Sequence, residues 1–154
     1  MSIQTTCCVT GHRDIPEEKL SFVKSELRNE ILSAIQDGFT HFISGFAAGV
    51  DLLFAEQIAL LQDEGQQITL EAAIPYRGRL KTKDIQFKRL MERCVAISVT
   101  AEEYSKSCYI NRNRNMVQLS ARVIAVYDGR DSGGTAFTIR YARVTEREVK
   151  IINI

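Results

Sequence analysis

The sequence predicts an α/β protein, a three-layer sandwich in which a mostly parallel sheet carries helices on both faces. Three observations predict it. Short apolar, β-branched runs alternate with stretches of helical periodicity from one end of the chain to the other. The helical stretches are 10 to 20 residues long, the length that a crossover between parallel strands requires. Only two prolines and neither a repeat nor a low-complexity segment interrupt the pattern, so residues 1–154 read as one domain.

The elements follow in order. "TTCCVT" (5–10) is a short apolar run that stops at Gly11, a first strand. "DIPE" (14–17) reads as a helix start, with Asp14 as cap and Glu17 three residues on. Leu20, Val23, Leu27, Ile31, Ala34 and Ile35 then recur at helical spacing until Gly38. "THFIS" (40–44) is the second strand. The second helix carries Val50, Leu53, Phe54, Ile58 and Leu61 on one face and closes at Gly65. "ITLEAAIP" (68–75) is a third strand, cut off by Pro75. Thr82 can cap a third helix bearing Phe87, Leu90, Met91 and Cys94. "VAISVT" (95–100) is the fourth strand, and "YINRNRNMVQLS" (109–120) is helical at least from Asn113. "VIAVYD" (123–128) is the fifth strand. The turn-rich "GRDSGGT" (129–135) precedes a helix through Val144, and "KIINI" (150–154) is the last strand.

Composition narrows the function. Apolar residues make up 45% and charged residues 25%, ordinary for a globular chain with a core of its own. The net charge of +1 is spread without a basic block, which speaks against whole-surface attraction to nucleic acid or anionic lipid. No apolar run approaches the ~20 residues that span a bilayer, and "MSIQTTCCVTGHR" lacks a signal-peptide pattern, so a cytoplasmic protein without membrane contact is expected. Cys7, Cys8, Cys94 and Cys108 form no C-x-x-C. Cys7 and Cys8 are adjacent on a strand and point to opposite faces, as small buried hydrophobes would. With His12 and His41 scattered, no metal site is expected.

In a parallel sheet every strand carboxyl end lies on one edge, and ligands bind there. The segments collected at that edge are "GHRD" (11–14), "SGFAAGVD" (44–51), "PYRGR" (75–79), "NRNRN" (111–115) and "DGRDSGGT" (128–135). Glycine lets backbone turn and approach a ligand closely. Helix N-termini offer unpaired N–H groups and partial positive charge. Hydroxyls add donors, and arginine supplies a planar fork for phosphate. The set is an anion-binding set. Its candidate residues are Gly11, His12 and Arg13; Ser44, Gly45, Ala47, Gly49 and Asp51; Pro75 and Arg77; Asn111, Arg112 and Asn115; and Asp128, Ser132, Gly133, Gly134 and Thr135. Neither a Walker loop nor a G-x-G-x-x-G fingerprint is present.

Together, "TGHR" (10–13), "SGFAAGVD", "NRNRNMV" (111–117) and "SGGTAFTIRYA" (132–142) resemble the YpsA-like family of small bacterial and phage-associated proteins, within the SLOG (SMF/DprA–LOG) superfamily. The resemblance implies a Rossmann-like fold. It also implies a pocket lined by Gly45, Ala47, Gly49, Val50 and Asp51 and by Gly133, Gly134 and Thr135. The ligand it implies there is an adenine nucleotide or ADP-ribose-like molecule. A nucleotide-binding sensor or regulator is the leading expectation. LOG-like phosphoribohydrolase activity is the alternative, but where that motif carries its catalytic Glu this chain has Thr138, leaving Asp51 as the candidate catalytic acid, with Asp128 or Asp131 as other carboxylates. DprA-like single-stranded DNA binding is the third reading. The small net charge and scarcity of aromatics near the loops set it last, so a small-molecule nucleotide is the expected partner and nucleic acid is not. A homo-oligomer is a further expectation, since "KIINI" would leave a sheet edge to cover.

Overall fold

The computed structural model describes residues 2–154. Six strands, β1 (Thr6–Gly11), β2 (His41–Ser44), β3 (Thr69–Tyr76), β4 (Cys94–Ala101), β5 (Arg122–Tyr127) and β6 (Glu148–Asn153), form one sheet. Five helices connect them: α1 (Leu20–Gln36), α2 (Val50–Asp63), α3 (Ile85–Met91), α4 (Cys108–Gln118) and α5 (Gly134–Val144). The strand order is β4-β3-β2-β1-β5-β6, and every pairing is parallel.

The layers follow from side-chain periodicity. In α1, Val23, Leu27, Ile31 and Ala34 are buried, one stripe at helical spacing. With Phe54, Ala55 and Ile58 of α2 they cover one face of the sheet, against Val9, Phe42, Leu70, Ile74 and Ile124. Met116 and Val117 of α4 and Ala142 of α5 cover the other face, against Cys8, Ile43, Ala73 and Val123. Cys7 lies in the first core and Cys8 in the second, as alternation along β1 requires.

The chain steps outward from β1 to β4. It then returns through α4 to β5 on the other side of β1. The strand order therefore reverses between β1 and β5, and their carboxyl ends open between helices that leave for opposite faces.

Local details differ from the sequence reading for identifiable reasons. Asp14 does not cap α1. A 3-10 turn at Glu17–Lys19 follows Pro16, and α1 begins only at Leu20. Asp84 rather than Thr82 caps α3: its Oδ1 accepts from the N–H groups of Gln86 at 2.9 Å and Phe87 at 3.2 Å. Cys94 opens β4 instead of closing α3. Pro75 sits within β3, where β2 has already ended at Ser44 opposite Ala72, so no neighbour there loses a donor.

Candidate functional site

At the carboxyl ends of β1 and β5 the sheet opens into a cavity of about 500 Å³. Its walls are the end of β1 and the loop after it, from Val9 to Asp14, with Ala47 before α2 and Asp51 in its first turn, the inward face of α4, Arg130, and the first residues of α5. The phase of α4 decides which of its polar residues enter. Cys108, Arg112 and Met116 are buried at i, i+4 and i+8. Tyr109, Ile110 and Asn113 flank that stripe and line the cavity with Arg112.

Arg112 is the central cation. It is only 4% exposed. Its Nη1 donates to the carbonyls of Gly45 at 2.7 Å and Ala73 at 2.9 Å, and its Nε donates to Asn113 Oδ1 at 2.8 Å. Nη2 has no hydrogen-bond partner among the described residues. Because Asn113 Oδ1 is turned to Arg112, its Nδ2 faces Gly134 at the start of α5. Burial lowers the Arg112 pKa, and the Asp51 charge opposes that shift. Asp51 is itself buried, which pushes its carboxyl up, while Arg112 and the Ala47 N–H bonded to its Oδ2 at 3.3 Å pull it down.

The glycines divide into two kinds. A Cβ on Gly45 would meet Arg112 and Asp51 Oδ2 at 2.7 Å, so that space is filled by the protein's own charged side chains. Gly49 has φ +82, and a Cβ there would meet the His12 carbonyl at 2.5 Å, where Val50 N–H also bonds. Gly133 has φ +103 with nothing within 4 Å of a Cβ, and the nearest atom to one on Gly134 is Asn113 Nδ2 at 3.6 Å. The second pair faces open space. No side chain caps α5, and its first intrahelical bond is Phe137 N–H to Gly133 O, so the N–H groups of Gly134, Thr135 and Ala136 lack intrahelical partners.

The remaining cations set the field. Arg13 lies over the Tyr109 ring, 4.8 Å from its centroid. Arg130 reaches into the cavity while donating through Nε to both Asp128 oxygens at 3.0 Å, and its hydrogen bonds hold the Asp128 carboxyl well below the usual carboxylate range. His12 Nε2 accepts from the Asp128 N–H at 3.2 Å, a bond that requires the neutral ring. Burial pushes the His12 pKa down, with the Asp128 charge opposing.

Of the sequence candidates, Gly11, His12 and Arg13 line this cavity together with Ala47, Asp51 and Arg112, and so do Gly134 and Thr135. The other candidates do not line it. Ser44 is fully buried, its hydroxyl donating to Asp51 O at 2.8 Å. Pro75 is buried in β3, and Arg77 is exposed in a bidentate pair with Glu102 at 2.6 and 2.8 Å. Asn111 accepts from Arg114 on the outer face of α4, and Asn115 lines a shallow groove beside β4. Asp128 is held through Arg130 and His12, while Ser132 and Gly133 lie exposed ahead of α5. Tyr109, Asn113, Asp14 and Arg130 line the cavity without having been singled out; the i, i+4 stripe of α4 is the sequence signal for the first two.

Comparison with known proteins decides the family. The model of the YspA SLOG family (YpsA) matches residues 7–153. The chain belongs to that family. A UPF0398 protein of Bacillus pumilus (strain SAFR-032) is 26% identical over 132 residues, covering 82% of this chain and 71% of that protein. Among solved structures, the DNA processing protein A (DprA) of Streptococcus pneumoniae aligns with a TM-score of 0.69 at 21% identity, over 96% of this chain. The DprA of Helicobacter pylori, described for its single-stranded DNA binding mode, aligns at 0.67 and 17% over 97% of this chain. The protein designated TM1055 aligns at 0.62 and 16% over 95% of this chain and 72% of its own length. The chain spans half the length of the first DprA and 65% of the second.

These neighbours correct one expectation. The sequence reading excludes nucleic acid as a partner, yet two similar folds are DNA processing proteins, one of them described as binding single-stranded DNA. The physical reason is averaging. A net charge of +1 says nothing about Arg13, Arg112 and Arg130 converging on one cavity, and Tyr109, which lines it, meets Tyr76, which in turn meets Tyr104, three rings that the sequence scatters.

Proposed function

We propose that this cavity binds a nucleotide or nucleotide derivative through its phosphate, and that the chain acts as a ligand sensor or regulator. The single observation carrying this reading is the start of α5: three helix N–H groups without intrahelical partners, with Gly134 leaving open space before them, at a cavity also lined by Arg13, Asn113 and Arg112. Such a terminus favours a phosphate by geometry and by charge, and about 500 Å³ suits one nucleotide. Asp51, buried beside Arg112 on the cavity wall, offers carboxyl oxygens to ribose hydroxyls. The adenine or ADP-ribose character of the ligand rests on the family resemblance.

Gly134→Val tests the proposal, because the glycine's surroundings leave a folded protein with only the approach to the helix blocked. Calorimetry with AMP and ADP-ribose is expected to show at least a tenfold loss, about 1.4 kcal/mol. Unchanged affinity in the folded variant would sink the proposal. Hydrolysis is the second reading, since Asp14 and Asp51 both line the cavity. Against it, Thr138 is buried and its hydroxyl donates to Gly134 O at 2.7 Å, so the expected assay result is bound ligand without released base.

A further inference from the structure

The two outer strands of the sheet are protected differently. β6 carries Glu148 and Lys150, paired at 3.4 Å, and charge of this kind deters another strand from adding to an edge. β4, at the opposite edge, has neither a charged side chain nor a proline along its whole length. Its inner side pairs with β3, and among the described residues no backbone group bonds it from outside. An edge strand turns the N–H and C=O groups of alternate residues away from its sheet, so β4 presents a ladder ready to be paired. The run from Val95 to Ser98 is exposed, with Val95 at 59% and Ile97 at 47%.

Apolar surface is left open on both faces of this edge. Ile97 stands beside Ala72 of the first core, on the α2 face of the sheet. On the other face Leu119, just past α4 and 47% exposed, lines a shallow groove with Ser98 and Thr100. Covering both faces at once takes a further strand with layers of its own, not a helix laid on one side. The two ends of β4 are opposite in charge: Arg93 precedes it, and Glu102 and Glu103 follow it. Arg93 pairs with Asp63 and Glu102 with Arg77, both partners exposed, so these pairs are worth little. Glu103 has no cation within salt-bridge distance among the described residues.

We infer that β4 pairs antiparallel with β4 of a second copy of this chain, joining the two sheets into one. The two-fold axis stands perpendicular to the sheet, so the α4 faces of both copies lie on the same side and residues of like face meet. Centred on Ile97, the pairing sets Arg93 opposite Ala101 of the second copy, next to Glu102; centred on Ser98, it sets Arg93 opposite Glu103. Either register answers the base of each copy with the acids of the other, twice by symmetry. This self-complementary charge selects a second copy over a strand from another protein. The homo-oligomer expected from a bare edge at "KIINI" is thereby placed at the opposite edge. No residue of the interface lines the cavity, so the pairing stands apart from the nucleotide reading.

Light scattering behind size exclusion, at micromolar concentration, tests the pairing. The wild type is expected at twice the mass of the 17.4 kDa chain. Ile97→Lys puts a charge into the ladder and is expected to give the single-chain mass with an unchanged circular dichroism spectrum. Arg93→Glu and the Glu102→Arg, Glu103→Arg double variant are each expected to weaken self-association by roughly tenfold or more, because like charges then face each other across the two-fold. Mixed in equal amounts, these two charge variants are expected to recover the wild-type affinity, since both contacts are again of opposite sign. A wild type found only at 17.4 kDa, dimers that survive Ile97→Lys, or charge variants that fail to recover on mixing would each overturn the interface. Should Ile97→Lys misfold, the charge variants decide, because Arg93, Glu102 and Glu103 are exposed.

Discussion

The two ends of the sheet are both rich in polar side chains, and they differ in what is left over. At the amino end, where β2, β3, β5 and β6 begin, the groups close on one another. His41 bonds Thr69 Oγ1 and Glu71 Oε1, each at 2.7 Å. Arg122 donates to Glu148 at 2.6 Å and Asp37 at 2.7 Å, and its unbonded Nη1 belongs to a guanidinium set 4.6 Å from the Phe39 ring centroid. At the carboxyl end the donors outnumber their partners: Arg112 Nη2, Asn113 Nδ2 and the first N–H groups of α5 open into a cavity. Residue type does not separate a site from a strut. Unfilled hydrogen-bonding capacity beside accessible volume does.

The largest effect that would sharpen this contrast is the pair Arg112→Met and Arg122→Met. Removing Arg112 leaves Asp51 buried without its charge partner and two carbonyls without a donor, a loss of about 3–5 kcal/mol. Removing Arg122 leaves Asp37 and Glu148, whose side chains are about half exposed and can rehydrate, a loss of about 2 kcal/mol. Urea denaturation checks both, and equal losses would break the contrast. Adding Asp51→Asn to Arg112→Met is expected to recover part of the first loss.

A smaller difference is expected between glycines. Gly45→Ala drives a methyl into Arg112 and Asp51 and is expected to cost about 1–3 kcal/mol in thermal or urea unfolding. Gly134→Ala meets only Asn113 at ordinary contact distance and is expected to leave stability unchanged.

The smallest effect is a pH dependence at His12. Its folded-state pKa is depressed by burial, so the unfolded chain takes up the proton first. The stability this neutral histidine contributes is present above the ordinary imidazole pKa of about 6.5 and is lost as pH falls from there through the lower folded value. His12→Gln keeps an acceptor for the Asp128 N–H and is expected to flatten that part of the stability profile. An unchanged profile would remove His12 from the account.

Much of this contrast is legible in the sequence, and the unread part has physical causes. Alternating β-branched runs and helical stripes mark all six strands and five helices, because each element buries a face whose period is written in its residues. Element ends are less legible: the Asp84 cap and the start of α4 at Cys108 depend on where the chain turns, not on apolar periodicity. The loops at the carboxyl edge are visible once the sheet is parallel. Which residues point inward is not, because "NRNRN" presents Arg112 and Asn113 to the cavity and Asn111 to solvent only once the phase of α4 is fixed. "SGFAAGVD" also misleads in part. Its glycines at 45 and 49 make room for Arg112, Asp51 and the His12 backbone, groups far away in sequence. The ladder of Tyr76, Tyr104 and Tyr109 is unreadable for the same reason: three rings from separate segments meet only in the fold.

The central claim is that ligand-binding capacity lies at the carboxyl edge and is focused on the start of α5. Backbone amide NMR during titration with AMP tests it most directly. The account predicts saturable shifts at Gly134, Thr135 and Ala136, with the amides of Thr69 and Arg122 at the opposite edge unmoved. Saturable shifts confined to the amino edge, or binding that leaves the first turn of α5 unperturbed, would contradict it.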